Sequence, residues 1–359
     1  MAFLNTDFGT EYIDDFYHDR IKSGEGIGII DVDKHVSFKQ GQYNIVIGVD
    51  NVGKTDFLLW YYLVIALKHE KSFCIWSGEN KPEQQKRKLM QMYAGKSIKD
   101  MTYKDVQKSK LIIENYFTWV DRNVLYDHNQ LLDMFSESNA NGFLIDPING
   151  LDHKLKFGTT DMTYKFSNDI RQFCNNTNKT VFVSAHTVTE AARRTYPKEH
   201  ELFGYQMPPI KSMIEGGQPF ASRADDFWVV NRLINHDLLK FYTQLEIQKV
   251  KDTETGGEPT MKDKPLCFEY NFGLGFKYSD INILNPFTLG IDSYDPLDGL
   301  RMKTKELEKV EPKQVIQPNL DFDNVKPKEV ETIVVEPRVI NKDYKSEDDF
   351  LENYKEPWD

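Results

Sequence analysis

The stretch that most constrains this chain is Gly48-Val49-Asp50-Asn51-Val52-Gly53-Lys54-Thr55, which satisfies the phosphate-loop pattern G-x-x-x-x-G-K-[ST] at every fixed position. In that pattern the glycines let backbone N–H groups curl around phosphates, the lysine reaches the β- and γ-phosphates, and the hydroxyl takes Mg²⁺. The spacing makes Gly48, Asn51, Val52, Gly53, Lys54 and Thr55 the candidate nucleotide-binding residues, with ATP and Mg²⁺ as the expected ligands. The flanks agree. Tyr43-Asn44-Ile45-Val46-Ile47 reads as a short buried strand, and Asp56 to Lys68 as an apolar-rich helix whose N-terminus faces the phosphates.

A chain of 359 residues with 40% hydrophobic content has room for one large α/β core plus a tail, or for two small domains. No run of about 18 apolar residues occurs, so a membrane span is not expected. The N-terminus MAFLNTDFGTEYIDDFYHDR carries acids early and lacks an apolar stretch of signal-peptide length. Cys74, Cys174 and Cys267 are odd in number and widely spaced, which argues against a disulfide framework or a zinc site and suits a reducing cytoplasm. The net charge of −11 lacks the basic footprint of a nucleic-acid binder. A few Lys and Arg lining a central channel would still grip phosphates under an acidic exterior, so charge leaves that question open.

Residues 1–40 hold an amphipathic pattern from Glu11 to Lys22, with Tyr12, Ile13, Phe16 and Tyr17 at helical spacing before Gly24-Glu25-Gly26 ends it. Such a helix packs either on its own domain or on a neighbouring subunit. Residues 41–285 alternate short apolar runs with helical patterns, the runs being Tyr43–Ile47, Phe73–Trp76, Leu111–Ile113, Phe143–Ile145 and Val181–Ser184. That alternation predicts an α/β fold with a mostly parallel central sheet flanked by helices on both faces. Residues 286–359 shift to scattered Lys, Glu and Pro, the composition of a flexible acidic tail. Its end mixes Asp348, Asp349, Glu352, Glu356 and Asp359 with Phe350, Tyr354 and Trp358, a composition suited either to docking in a basic, apolar groove of a partner or to plain solubilising disorder.

Three companions narrow the subclass. Phe73-Cys74-Ile75-Trp76-Ser77-Gly78-Glu79 is an apolar strand ending in a carboxylate: Glu79 either polarises the water that attacks the γ-phosphate or simply starts the next helix. Gly142-Phe143-Leu144-Ile145-Asp146 ends in the carboxylate that would hold Mg²⁺ beside Thr55. Thr180 to Ala185 delivers His186 to the edge of the sheet where ligands bind, either to sense the γ-phosphate or as a structural residue.

With these in order, residues 41–278 resemble the RecA-like motor domain of DnaB-type hexameric replicative helicases, particularly phage and mitochondrial forms. SGENKPEQQKRKL resembles the family's strand-Glu-helix motif, IDPINGLD its metal-binding strand, and VSAHTVTEAARR the segment with the phosphate-sensing histidine. MIEGGQPFASRADDFWVVNR resembles the stretch around the DNA-facing loop, and QKVKDTETGGEP the hairpin that reaches into the neighbouring subunit's ATP site. The resemblance implies a RecA-like P-loop NTPase core, Glu79 as catalytic base, Asp146 on the metal, His186 as sensor, and Lys249 and Lys251 acting in trans. It further implies a hexameric ring, single-stranded DNA as substrate, replication proteins as partners through the tail, a linker helix near Glu11–Lys22, a separate primase, and the cytoplasm as location (the host's, for a viral protein). By analogy Arg193, Arg194, Lys211 and Arg223 are the candidate DNA contacts, although Arg193 and Arg194 equally suit a solvated helix end, and Arg223 with Asp225 a structural pair near the sheet.

Lys251 departs from the family's arginine finger, since lysine supplies charge without a planar fork. The lysine pair is similar to that of RecA-type recombinases, which leaves three readings: a helicase, a strand-exchange ATPase, or a regulatory P-loop ATPase with no DNA substrate.

Overall fold

A computed structural model describes residues 9–18, 20–21, 24–153, 159–261, 264–278 and 293–307. After α1 (Thr10–Tyr17) and α2 (Ile30–Asp33), strands and helices alternate as β1 (Tyr43–Ile47), α3 (Lys54–His69), β2 (Phe73–Ser77), α4 (Pro82–Ala94), α5 (Tyr103–Tyr116) and β3 (Phe117–Trp119). Then come α6 (His128–Glu137), β4 (Gly142–Asp146), α7 (Thr160–Thr177), β5 (Thr180–Ala185), α8 (Thr189–Arg193), α9 (Gln218–Arg223) and β6 (Asp226–Asn231). The described part closes with β7 (Tyr242–Lys249), α10 (Thr253–Gly256), β8 (Leu266–Tyr270), β9 (Phe276–Tyr278) and α11 (Pro296–Leu307).

The strands form one sheet in the order β3-β2-β4-β5-β1-β6-β7-β8-β9. Pairing is parallel from β3 to β6 and antiparallel from β6 to β9. This is the expected mostly parallel α/β architecture. The strands between β2 and β6 are buried on both faces, which is why their sequences are apolar runs rather than alternating patterns. Successive residues divide between two cores: Phe182, Trp228 and Val230 meet α3 and α4 on one side, whereas Val181, Val183, Phe227 and Val229 meet α6, α7 and α9 on the other. Helix α3 is wedged so deeply that every residue from Phe57 to Ala66 is buried. Phe57 and Trp60 pack edge-on against Phe268 and Phe276, fastening the antiparallel extension to the helix that follows the phosphate loop.

Three expectations change. Leu111–Ile113 is not a strand: it lies inside α5, which opens on a capping box of Thr102 and Asp105, buries Ile113 and exposes Leu111, and the edge strand is Phe117–Trp119 instead. A three-residue apolar run has no period of its own, so the cap upstream decides between helix and strand. The N-terminal helix is shorter than expected, Thr10–Tyr17, and its Tyr12, Ile13, Phe16 and Tyr17 are all exposed. Past residue 285, α11 also packs on the core: its Leu297 is fully buried against α3 and α4, and the Arg301 guanidinium donates to the carbonyls of Met92 and Tyr93. The acidic and aromatic residues of 343–359 lie outside the described residues. Among those described, no helix is long and apolar enough to cross a membrane.

Candidate functional site

The phosphate loop leaves the C-terminal end of β1, between β5 and β6. Its two motif glycines have different reasons. A Cβ at Gly48 would sit 2.3 Å from the Val230 carbonyl of β6, so the loop passes too close to its neighbouring strand for any side chain. Gly53 takes φ +87° at the N-cap of α3, a left-handed conformation that glycine adopts without strain. Between them Asn51 has φ +62°, tolerable for an asparagine, and Val52 is buried beneath the loop.

A cleft of about 570 Å³ opens over the loop, and its walls bring together Lys54, Thr55, Glu79, Asp146 and His186. The Thr55 hydroxyl donates to Asp146 Oδ2 at 2.8 Å. Burial pushes the Asp146 carboxyl above its ordinary range, opposed by that hydroxyl and by the charge of Lys54. The Lys54 ammonium donates to the carbonyls of Gly48 (2.8 Å) and Val49 (3.2 Å). Its burial lowers the pKa, against the pull of Asp146, Asp50 and Glu79. His186 Nε2 lies 2.9 Å from Glu79 Oε1, and its Nδ1 lies 3.3 Å from Asp50 Oδ1. Glu79 is exposed at the cleft, and its backbone carbonyl accepts from the Arg122 guanidinium at 3.1 Å.

Among the described residues no cluster of three or more His, Cys, Asp or Glu could cage a metal. Thr55 and Asp146 offer one hydroxyl and one carboxylate side by side, which suits Mg²⁺, an ion that keeps several waters and takes the rest of its shell from phosphate oxygens.

Sequence reading missed Arg232 at the mouth of the cleft. It follows β6, donates to the Asn51 carbonyl at 3.2 Å, and stacks its guanidinium 4.6 Å over the ring of Tyr270. The planar pair makes a wall beside the loop on which a flat heterocycle could lie. Its signal in the sequence is weak, because Tyr270 arrives only through the fold of β8.

The other candidates separate. Lys249 is committed within its own subunit: its ammonium donates to the carbonyls of Ala221 (3.0 Å), Ser222 (2.8 Å) and Ala224 (2.6 Å), capping the C-terminal end of α9. Carbonyls left without partners at a helix end attract a cation, which accounts for this contact within one subunit. Lys251 is exposed, 3.4 Å from Asp225 Oδ1. Register puts both lysines at the edge of the sheet where β1 begins, because Phe227 pairs with Lys249 and Asn44 with Asp226. The phosphate loop lies at the other edge, where β1 ends. Asp225 pairs with Arg171 at 2.5 Å, not with Arg223, whose guanidinium stacks 5.4 Å over Tyr164. Arg193 and Lys211 are exposed, but Arg194 is half-buried and donates to the Pro208 carbonyl at 3.3 Å, so it supports the 194–213 segment from beneath.

No family model matches the chain. It is 23% identical over 300 residues to the Twinkle homolog protein, chloroplastic/mitochondrial, of Arabidopsis thaliana, a match that takes in 77% of this chain and 39% of that protein. The chain therefore spans about two fifths of the length of this curated relative. Among solved structures, an ATPase domain of the DnaB-like helicases superposes with a TM-score of 0.61 at 13% identity, over 76% of this chain and 99% of that one. A DnaB-like replicative helicase, solved in a study of its interactions with primase, superposes with a TM-score of 0.58 at 14% identity, over 77% of this chain and 67% of that one. The chain has the RecA-like ATPase fold of the DnaB-like replicative helicases.

Proposed function

We propose that this chain is the motor subunit of a DnaB-type helicase, which hydrolyses ATP to move along single-stranded DNA and open duplex at a replication fork. The observation that carries the reading beyond a generic ATPase is the wiring of His186. Its carbonyl accepts from the Glu215 N–H at 2.9 Å, and the Val188 N–H donates to the Met213 carbonyl at 2.9 Å. The residue beside Glu79 in the cleft is thereby hydrogen-bonded, through its own backbone, to the end of the segment that carries Lys211. Loss of a γ-phosphate at His186 would be felt directly by that segment.

In this reading Lys54 and the loop amides bind the phosphates, Arg232 and Tyr270 flank the base, and Glu79 orients the attacking water. Thr55 and Asp146 would hold Mg²⁺, which would supply neutralisation of phosphate charge. Lys251 is remote from its own phosphate loop by sheet register, so it serves the site of a neighbouring subunit in a ring. The exposed aromatic face of α1 suits the same assembly. Arg193, Lys211 and Arg223 contact the DNA backbone without reading bases. The acidic tail is assigned to replication partners.

A fork-unwinding assay with ATP tests the reading, with Lys54→Ala as the inactive control. Unwinding by the unaltered chain and none by the variant is the expected result; no ATP-dependent unwinding under conditions where ATP is hydrolysed would sink it. Lys251 itself favours a second reading, a RecA-type strand-exchange ATPase, which helical filaments on DNA in place of closed rings would support.

A further inference from the structure

The candidate DNA-contacting segment lies on a polar strand face. Along β7 the side chains of Gln244, Glu246 and Gln248 point one way and line a cavity of about 290 Å³ beneath residues 194–210, whereas Leu245 and Ile247 point into the core. Gln244 is already paired with Asn231 at 2.9 Å. Gln248 reaches the covering segment with both ends of its amide: Oε1 accepts from the Lys211 N–H at 2.7 Å, and Nε2 donates to the Pro209 carbonyl at 3.0 Å. Glu246 Oε2 accepts from the same Nε2 at 2.9 Å, which fixes the orientation of the amide.

Resting on the motor reading above, we propose that Gln248 is a positioning residue that latches the Pro209–Lys211 segment onto β7, so that DNA held by Lys211 is linked mechanically to Lys251 three residues beyond the latch. The side-chain amide imitates a strand partner, presenting one acceptor and one donor to two backbone groups of the segment. Ile210, between the two bonded residues, is exposed, so the apolar hold on the Pro209–Lys211 segment comes from the buried Pro209 alone. β7 itself is secured by its ladders to β6 and β8, so removing the latch loosens Pro209–Lys211, with the Arg194 bond to Pro208 still in place, while leaving the strand and Lys251 in register.

The test uses the full chain with Mg²⁺ and ATP, with and without oligo-dT, for Gln248→Met and Gln248→Glu. Methionine keeps the volume and loses both bonds; glutamate replaces the donor with a carboxylate oxygen set against Glu246 and the Pro209 carbonyl, so it repels where the amide bonded. We expect the half-saturating oligo-dT concentration to rise about tenfold in Gln248→Met, the size expected for two lost hydrogen bonds, and at least as much in Gln248→Glu. DNA-free turnover and the KM for ATP should stay unchanged, a split that a merely structural defect would not give. Hydrogen exchange at the Lys211 amide should accelerate in Gln248→Met, a readout that needs no DNA. Unchanged oligo-dT dependence in Gln248→Met, or unchanged exchange at Lys211, overturns the latch while leaving the motor reading intact. A fall in DNA-free turnover equal to the fall with DNA also overturns it, by assigning Gln248 to folding. Absence of any oligo-dT effect on the unaltered chain overturns the motor reading and the latch together.

Discussion

Glu79 and His186 are separated by 107 positions yet meet at 2.9 Å. Glu79→Gln should retain nucleotide affinity and lose turnover by at least about a hundredfold, the scale of a missing general base, as measured by nucleotide binding beside steady-state hydrolysis. A second residue-scale prediction concerns the buried pair Lys39–Asp226, 3.1 Å apart with both side chains nearly inaccessible. Burial raises the Asp226 carboxyl, and Lys39 is the main influence against it. Lys39→Met leaves a carboxylate unpaired and should cost about 3–5 kcal/mol in denaturant unfolding. A carboxyl whose folded pKa is raised binds its proton more tightly in the native state. Stability is therefore greater below the folded pKa and falls as pH rises through it, so the Lys39→Met defect should shrink as pH is lowered.

At the scale of elements, the strand tips deliver the chemistry. β1, β2, β4 and β5 are parallel neighbours whose C-terminal ends converge, which is why one apolar run leading into the phosphate loop and three delivering a polar residue could be read as one site. Elements whose sequences lack a period were not legible in this way. Leu111–Ile113 reads as a strand until its helix cap at Thr102 is considered, and α11 sits in Lys- and Glu-rich sequence but is held by Leu297 and Arg301. Leu297→Ala should lower unfolding free energy by about 2–5 kcal/mol, the range for emptying a fully buried leucine site. A change below about 0.5 kcal/mol in chemical denaturation, the size typical of a surface substitution, would mean that α11 does not belong to the compact unit.

For the whole molecule, the antiparallel extension sets where Lys251 lies. Because β7 runs back against β6, it carries Lys251 away from the phosphate loop of its own subunit, which is why the proposed motor assigns it to a neighbour's site. Subunits bearing Lys54→Ala mixed with subunits bearing Lys251→Ala should regain ATP hydrolysis at intermediate ratios, since some interfaces then combine an intact loop with an intact lysine. Turnover that never exceeds the sum of the separate variants across all ratios would argue for action in cis.

The sequence by itself determined the phosphate loop, the carboxylates and histidine that follow strands, and the α/β class, because these are local: fixed spacing, apolar runs and the polar residues at their ends. Only the tertiary structure decided what each cation meets. Lys249 and Lys251 stand two positions apart in one motif, yet one caps α9 and the other faces solvent. Arg194 supports a loop from beneath, while Arg232, unremarkable in the sequence, stacks at the cleft. The reason is physical: a long cationic side chain goes to whichever carbonyls, carboxylates or rings the packed elements leave within its reach, and those partners come from distant parts of the chain.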